Sequence, residues 1–311
     1  MKSRAFLVGA VAALSAAVLA ACGSGTGAGA GSSKTVAGGM ILGAAPEFKT
    51  RPDGLSGLKA DYGVSPGSFK PLDAGGPLTV NALKNGQIDI GNIFTTDPSI
   101  KNDHFVVLQD PKHLFLAQNV VPLVDKKKVT PGASKVLDAV SAKLTTDDLV
   151  QLNEQVVGEK QDPDTVAKSW LKAHGLGASG NGAAGVRLTV GSANFQESVL
   201  LAHLYGDALA LQGAEVTKKL NIGSRETYIP GLQQGSIDLV PEYSGVLLQY
   251  FDKKAGAETP DEVYAALRKA TPPALTVLAR SSAEDKDAIV VTAATAKKYH
   301  LDSIGDLAEK P

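Results

Sequence analysis

A short pattern that occurs twice constrains the fold of this chain more than any other feature. Leu83-Lys84-Asn85-Gly86-Gln87-Ile88-Asp89-Ile90 resembles Leu232-Gln233-Gln234-Gly235-Ser236-Ile237-Asp238-Leu239. In each copy a helix end meets a glycine that can take the left-handed cap conformation, and an apolar strand follows. Each strand runs into a polar loop, Phe94-Thr95-Thr96-Asp97 in one case and Pro241-Glu242-Tyr243-Ser244-Gly245 in the other. Around the copies, apolar runs predict strands at 40–44, 88–93, 105–108, 187–190, 237–240 and 288–292, and helical patterns fall at 78–85, 145–154, 163–174, 197–212 and 260–269. This alternation predicts an α/β architecture with largely parallel sheets. Ligands of open α/β sheets bind beyond the carboxyl ends of the strands. Two such units facing each other therefore predict a cleft between two lobes.

With 311 residues, 43% of them hydrophobic, the chain can bury one large or two medium cores. Its 31 basic and 32 acidic residues leave a formal charge of -1, without the positive excess that neutralises phosphates, so no nucleic acid partner is expected. Lys2 and Arg4 precede an apolar stretch from Ala5 to Ala21, the pattern of a signal peptide over residues 1–21. The stretch is shorter than the about 20 apolar residues of a transmembrane helix. It ends in Leu19-Ala20-Ala21-Cys22, small residues ahead of the chain's single cysteine, which is the pattern of bacterial lipoprotein cleavage and acylation. Cys22 is accordingly the expected lipidation site and the expected link to a lipid bilayer, which needs more than one acyl chain for stable anchoring. Residues 22–39 hold too little apolar side chain to fold and read as a flexible tether. Residues 175–185 (GLGASGNGAAG) read as a second flexible joint.

Six stretches resemble the substrate-binding proteins of glycine betaine, choline and carnitine ABC importers. They are Val190-Gly191-Ser192-Ala193-Asn194-Phe195-Gln196-Glu197, Gly223-Ser224-Arg225-Glu226-Thr227-Tyr228, Asp238-Leu239-Val240-Pro241-Glu242-Tyr243-Ser244-Gly245, Arg51-Pro52-Asp53-Gly54-Leu55, Phe94-Thr95-Thr96-Asp97, and Val106-Val107-Leu108-Gln109-Asp110-Pro111-Lys112-His113. The resemblance implies a two-lobe binding-protein fold of type II, a small-molecule solute as ligand, and an ABC permease with its ATPase as partner. The order of the segments is swapped relative to the family, as in a circular permutation, with residues 175–185 joining the old ends. Carried over, the fold assigns residues 96–290 to lobe one and residues 37–95 with 291–311 to lobe two. The crossovers are then expected near residues 94–97 and 288–292.

The resemblance further implies an aromatic cage for a quaternary ammonium group, with Tyr243 and Phe94 at two of its positions. Gln118 stands where the family has a tyrosine, Asp287-Ala288-Ile289 offers no ring, and Ala193 replaces a lysine. Where the cage is incomplete, Gln118 would bind a hydroxylated or aromatic solute instead. Arg51 is the candidate anchor for a ligand carboxylate, because its planar fork pairs bidentately with one. Asn194, Gln118 and Thr96 are candidate donors or acceptors that orient the ligand. The alternatives are a surface arginine beside a Pro-Asp-Gly turn, ordinary core positions for Tyr243 and Phe94, and plain loop structure for the rest. Arg225 and Glu226 read as an ion pair at a helix start.

No metal or cofactor is implied, since His104, His113, His174, His203 and His300 show no metal-ligand spacing and read as surface or capping residues. Gly63-Val64-Ser65-Pro66-Gly67 matches the nucleophile-elbow pattern, but Pro66 removes the amide an oxyanion hole needs. No enzymatic activity is expected. A sensor or adhesion lipoprotein of the same fold is the third reading.

Overall fold

The computed structural model describes residues 35–311; the expected signal peptide, Cys22 and most of the expected tether lie outside the described residues. Ten strands form two five-stranded sheets. The first sheet comprises β1 (Ile41–Ala44), β2 (Ser68–Pro71), β3 (Ile90–Phe94), β4 (Phe105–Val107) and β10 (Asp287–Thr292), in the order β2-β1-β3-β10-β4. The second comprises β5 (Val120–Asp125), β6 (Arg187–Gly191), β7 (Glu215–Lys219), β8 (Leu239–Tyr243) and β9 (Leu275–Val277), in the order β7-β6-β8-β5-β9.

The two sheets share one plan. In the first, β2, β1 and β3 are parallel, while β10 arrives from the other lobe and pairs antiparallel with both β3 and β4. In the second, β7, β6 and β8 are parallel, and β5 is the visiting antiparallel strand between β8 and β9. This is the α/β, two-lobe binding-protein fold of type II that the sequence implies. Apolar side chains cover both faces of each sheet: Leu42, Ile90 and Ile289 pack on one face of the first and Leu83, Ile93 and Val290 on the other, Val190, Leu200 and Leu239 on one face of the second and Val121, Leu123 and Val240 on the other. The helix Gln196–Leu211 is buried almost all round, between helix Pro163–Ala173 and the second sheet.

Strand pairing moves the expected lobe boundary. A strand belongs to the sheet whose ladder it completes, and both β4 and β10 complete the first sheet. The chain therefore crosses between lobes at residues 108–119 and 278–286, rather than near 94–97 and 288–292. The two crossings run side by side: Asn119 bridges Glu284 antiparallel, and the Asp285 amide donates to the Gln118 carbonyl at 3.2 Å.

Two segments expected to be flexible are built into the body. Val36 and Ala37 are buried, a 3₁₀ turn spans Ala37–Gly39, and the Val36 amide donates to the Glu309 carbonyl at 2.8 Å, so residues 36–39, expected as tether, belong to the body. Residues 175–185 lie within the second lobe against the end of the helix Gln196–Leu211. There the Gly180 and Ala183 amides donate to the carbonyls of Leu211 and Gln212, and Ala183 is buried. Small residues made this close packing possible: a Cβ on Gly180 would stand 2.4 Å from the Gln212 side chain.

Candidate functional site between the lobes

A cavity of about 450 Å³ lies between the two sheets. Its walls are the segments that follow the carboxyl ends of the parallel strands, as the geometry of open α/β sheets dictates. From the first lobe come the turn after β1, with Arg51 and Asp53, and Phe94 at the end of β3; Asp287 starts β10 directly opposite Phe94. From the second lobe come Asn194 and Phe195 after β6, Arg225 at the start of helix Arg225–Gln233, and Tyr243 at the end of β8. Gln249 and Tyr250 are contributed by helix Ser244–Phe251, and Gln118 by the first crossing.

Three rings form a row across the lobe boundary. Phe94 and Phe195 stand 5.1 Å apart by ring centroid, and Phe195 and Tyr243 6.1 Å, with interplanar angles of 34° and 31°. Tyr228 and Tyr250 add further aromatic surface to the cavity. Tyr243 is both a core residue and a wall of the cavity. Its hydroxyl donates to Glu197 Oε1 at 2.5 Å, and burial, followed by the Glu197 charge, pushes its phenol well up.

Both arginines of the cavity are already paired within the chain. Arg51 donates through Nε to Asp53 Oδ1 at 2.9 Å and through Nη2 to Asp53 Oδ2 and to Asp287 Oδ2, the last at 2.7 Å. Against the desolvation of burial, the carboxylates of Asp287 and Asp53 hold its guanidinium well above the ordinary value. That edge of the fork is thus not open to a ligand carboxylate, which corrects the simple picture of Arg51 as a free anchor. Arg225 pairs bidentately with Glu242, at 3.0 Å from Nε and 2.8 Å from Nη2, and not with Glu226, which accepts from Ser224 Oγ instead. The Tyr228 hydroxyl donates to the same Glu242 at 2.6 Å.

Gln118 is buried and does two things. Its Oε1 accepts the Val246 amide at 3.0 Å, capping the helix Ser244–Phe251, and its Nε2 has no partner. Thr96 is the expected site residue that the structure leaves out of the cavity. It borders a second space of about 210 Å³ that shares Phe94, Asn194 and Phe195 with the first. Its hydroxyl donates to Glu197 Oε2 at 2.7 Å and its amide to Asp285 Oδ1 at 3.0 Å, and Asn153 Nδ2 donates to both Glu197 Oε2 and Thr96 Oγ1. Thr96 is thus a fastening between the lobes and the second crossing. Burial pushes the Glu197 carboxyl up, and burial together with the Glu197 charge pushes Asp285 further up.

Phe195, Tyr250, Asp287 and Gln249 were not singled out from sequence. Phe195 sits inside a motif that was quoted, and its position between a loop and a helix start was the available signal. His104, His113 and His300 take left-handed conformations that end a turn or helix, whereas His203 is neither surface nor cap. It belongs with Asp164 and Asp207 to the one cluster of metal-like spacing among the described residues. That cluster is filled by Lys218, whose Nζ donates to Asp207 Oδ1 at 2.5 Å, to His203 Nδ1 at 2.8 Å and to Asp164 Oδ1 at 3.1 Å. Ser65 is exposed between the helix Leu55–Tyr62 and β2, a helix-to-strand junction unlike a nucleophile elbow.

Comparison with known proteins places this geometry. The chain is 34% identical over 144 residues to the glycine-betaine-binding protein of Pseudomonas aeruginosa, covering 44% of this chain and 46% of that protein. It is 31% identical over 137 residues to the ergothioneine transport permease/ergothioneine binding protein EgtU of Helicobacter pylori, covering 43% and 24%. To the carnitine transport binding protein OpuCC of Listeria monocytogenes it is 25% identical over 122 residues, covering 39% of each. The chain thus spans less than half the length of each of these relatives. A family model matches residues 34–173 and 186–311, leaving out only the Gly/Ala/Ser segment and the N-terminal region. The chain belongs to the family of substrate binding domains of ABC-type glycine betaine transport systems.

Proposed function

We propose that the chain captures a small quaternary ammonium solute, of the glycine betaine, choline or carnitine kind, in the cavity between its lobes. It then presents that solute to an ABC permease driven by its ATPase. The observation that carries this reading is the row Phe94, Phe195 and Tyr243, drawn from both lobes onto one cavity. Aromatic faces attract a cation that cannot donate hydrogen bonds, each by about 0.5–2 kcal/mol according to its desolvation. The two adjacent crossings form the hinge about which the lobes close over the ligand. Acylated Cys22 holds the body at the extracytoplasmic face of a bacterial membrane.

The segment order is read as a circular permutation. Each lobe has the same strand plan, so exchanging the two halves of the chain reproduces the same order of strands. The contact of Val36 with Glu309 keeps the present ends together, and the break in the family match falls on residues 175–185.

Calorimetric titration with glycine betaine, choline and carnitine tests the reading. Saturable binding that weakens about tenfold in Phe195→Ala and in Tyr243→Ala is the expected result. Absence of binding to every quaternary ammonium compound would overturn it. Uptake of the bound solute should be lost on deletion of the gene; intact uptake with altered signalling or attachment would point to the sensor or adhesion reading.

A further inference from the structure

Two buried carboxyls meet where the lobes join. Glu197 of the second lobe accepts from the Tyr243 hydroxyl through Oε1, at 2.5 Å, and from Thr96 and Asn153 through Oε2. Asp285 of the second crossing accepts the Thr96 amide and the Thr95 hydroxyl through Oδ1, at 3.0 and 3.2 Å. The two carboxyls are also hydrogen-bonded to each other. Carboxylates carry no donor, so that bond exists only when one of the two holds a proton. Asp285 Oδ2, the one oxygen of the four that accepts no other donor, is the place for it.

The pair lies between the two spaces of the lobe boundary. Asp285 borders the larger cavity and Glu197 the smaller. Tyr243 connects the pair to the ring row, since its hydroxyl binds Glu197 while its ring stands beside Phe195. The basic side chains nearby are engaged elsewhere: Arg51 by Asp53 and Asp287, Arg225 by Glu242, and Lys286 by Glu284. The remaining titratable groups around the pair are acidic or phenolic, namely Tyr243 and Glu242 on β8, Asp287 on β10 and Asp97 after β3. Burial without a counter-charge favours the neutral acid, and a cation placed one ring away favours the charged one.

We propose that Glu197 and Asp285 share a single proton and that a cationic solute docking on the ring row expels it. On binding, the Asp285 O–H bond breaks, the proton passes to solvent, and the pair becomes doubly negative beside the ammonium. Solute capture and proton release are thereby linked, so affinity rises with pH and falls where protons accumulate. This inference rests on the solute-binding reading above and adds a pH control to it.

Calorimetric titration of the purified chain with glycine betaine, choline and carnitine tests the linkage, because none of the three takes up or gives up a proton between about pH 6 and 9. At one pH in that range, titrations in phosphate and in Tris differ in enthalpy by the number of protons released multiplied by the difference in buffer ionisation enthalpy. Release of roughly half to one proton per solute bound is expected, with affinity that rises several-fold per pH unit. Asp285→Asn keeps a neutral group in place, and should bind the solute without proton release and with affinity independent of pH. Saturable binding to the wild type with the same enthalpy in both buffers overturns the inference and leaves the solute-binding reading standing; this comparison needs no variant. Release that persists in Asp285→Asn overturns it as well and assigns the proton to another group such as Asp97. No binding by any of the three compounds removes both readings.

Discussion

Asp238 accepts the Thr189 amide on its side chain at 2.8 Å and returns its own amide to the Thr189 carbonyl at 2.8 Å. Asp89 repeats this with Ile41 in the first lobe, at 2.8 and 2.9 Å. The repeated aspartate of the sequence thus ties the third strand of each lobe to the first, which a propensity reading of helix, glycine and strand does not disclose. Asp238 is buried and Asp89 partly exposed, so water replaces the lost acceptor at one site and not at the other. Chemical denaturation should show Asp238→Ala costing about 2–3 kcal/mol and Asp89→Ala about 1 kcal/mol or less. Equal costs would mean that the strand amides find other partners. At the same scale, the fastening role of Thr96 was unreadable from sequence because a loop threonine beside a strand end is compatible with facing either side of the ring row.

At the scale of elements, the glycines of the repeat carry the turn from helix to strand. Gly86 and Gly235 have φ of 66° and 75°, and a Cβ on either would meet nothing within 4 Å. Gly235→Ala should therefore cost about 1–2 kcal/mol through backbone conformation alone, leaving solute affinity unchanged. A larger loss, measured by denaturation, would indicate a packing role. The predicted helices lie within about two residues of the observed ones, and capping boxes fix the starts of two of them, Thr259 with Glu262 and Thr145 with Asp148. Four strands escaped notice, β2, β5, β7 and β9, and two of them show why. β7 is a half-exposed edge of mostly charged and polar residues, the composition that protects edges. β5 contains Pro122, which ordinarily argues against a central strand. Here Pro122 faces Pro241 and turns its carbonyl outward to the Leu278 amide, so the β5–β8 ladder asks neither proline for a hydrogen bond at that rung.

At the scale of the whole molecule, the two lobes meet through buried acids. Glu197 of the second lobe and Asp285 of the second crossing both bind Thr96 of the first lobe, and their carboxyls are pushed up. A carboxyl whose folded pKa lies above its unfolded value takes up its proton more tightly in the native state. Its contribution to stability is full below the unfolded range near about pH 4 and is lost as pH rises through the raised folded value. Thermal stability should therefore decline as pH rises above the ordinary carboxylate range, and Asp285→Asn should flatten that decline. Melting curves across pH test this; the same slope in wild type and variant would assign the decline to other groups.

The sequence by itself determined the α/β class, the two-lobe plan, most helices and strands, the family, and the placement of Tyr243, Phe94, Arg51, Asn194 and Gln118 at strand ends and loops. The class and the elements follow from local rules such as hydrophobic period and turn residues, the cleft from the position of loops after parallel strands, and the family and those five residues from the motif resemblance. Only the tertiary structure decided which sheet β4 and β10 complete, that residues 175–185 pack rather than swing, that Arg51 and Arg225 are held by Asp53, Asp287 and Glu242, and that Thr96 fastens the lobes behind the ring row. Each of these depends on a partner far away in sequence, and long-range pairing is a property of the assembled surfaces rather than of any one segment.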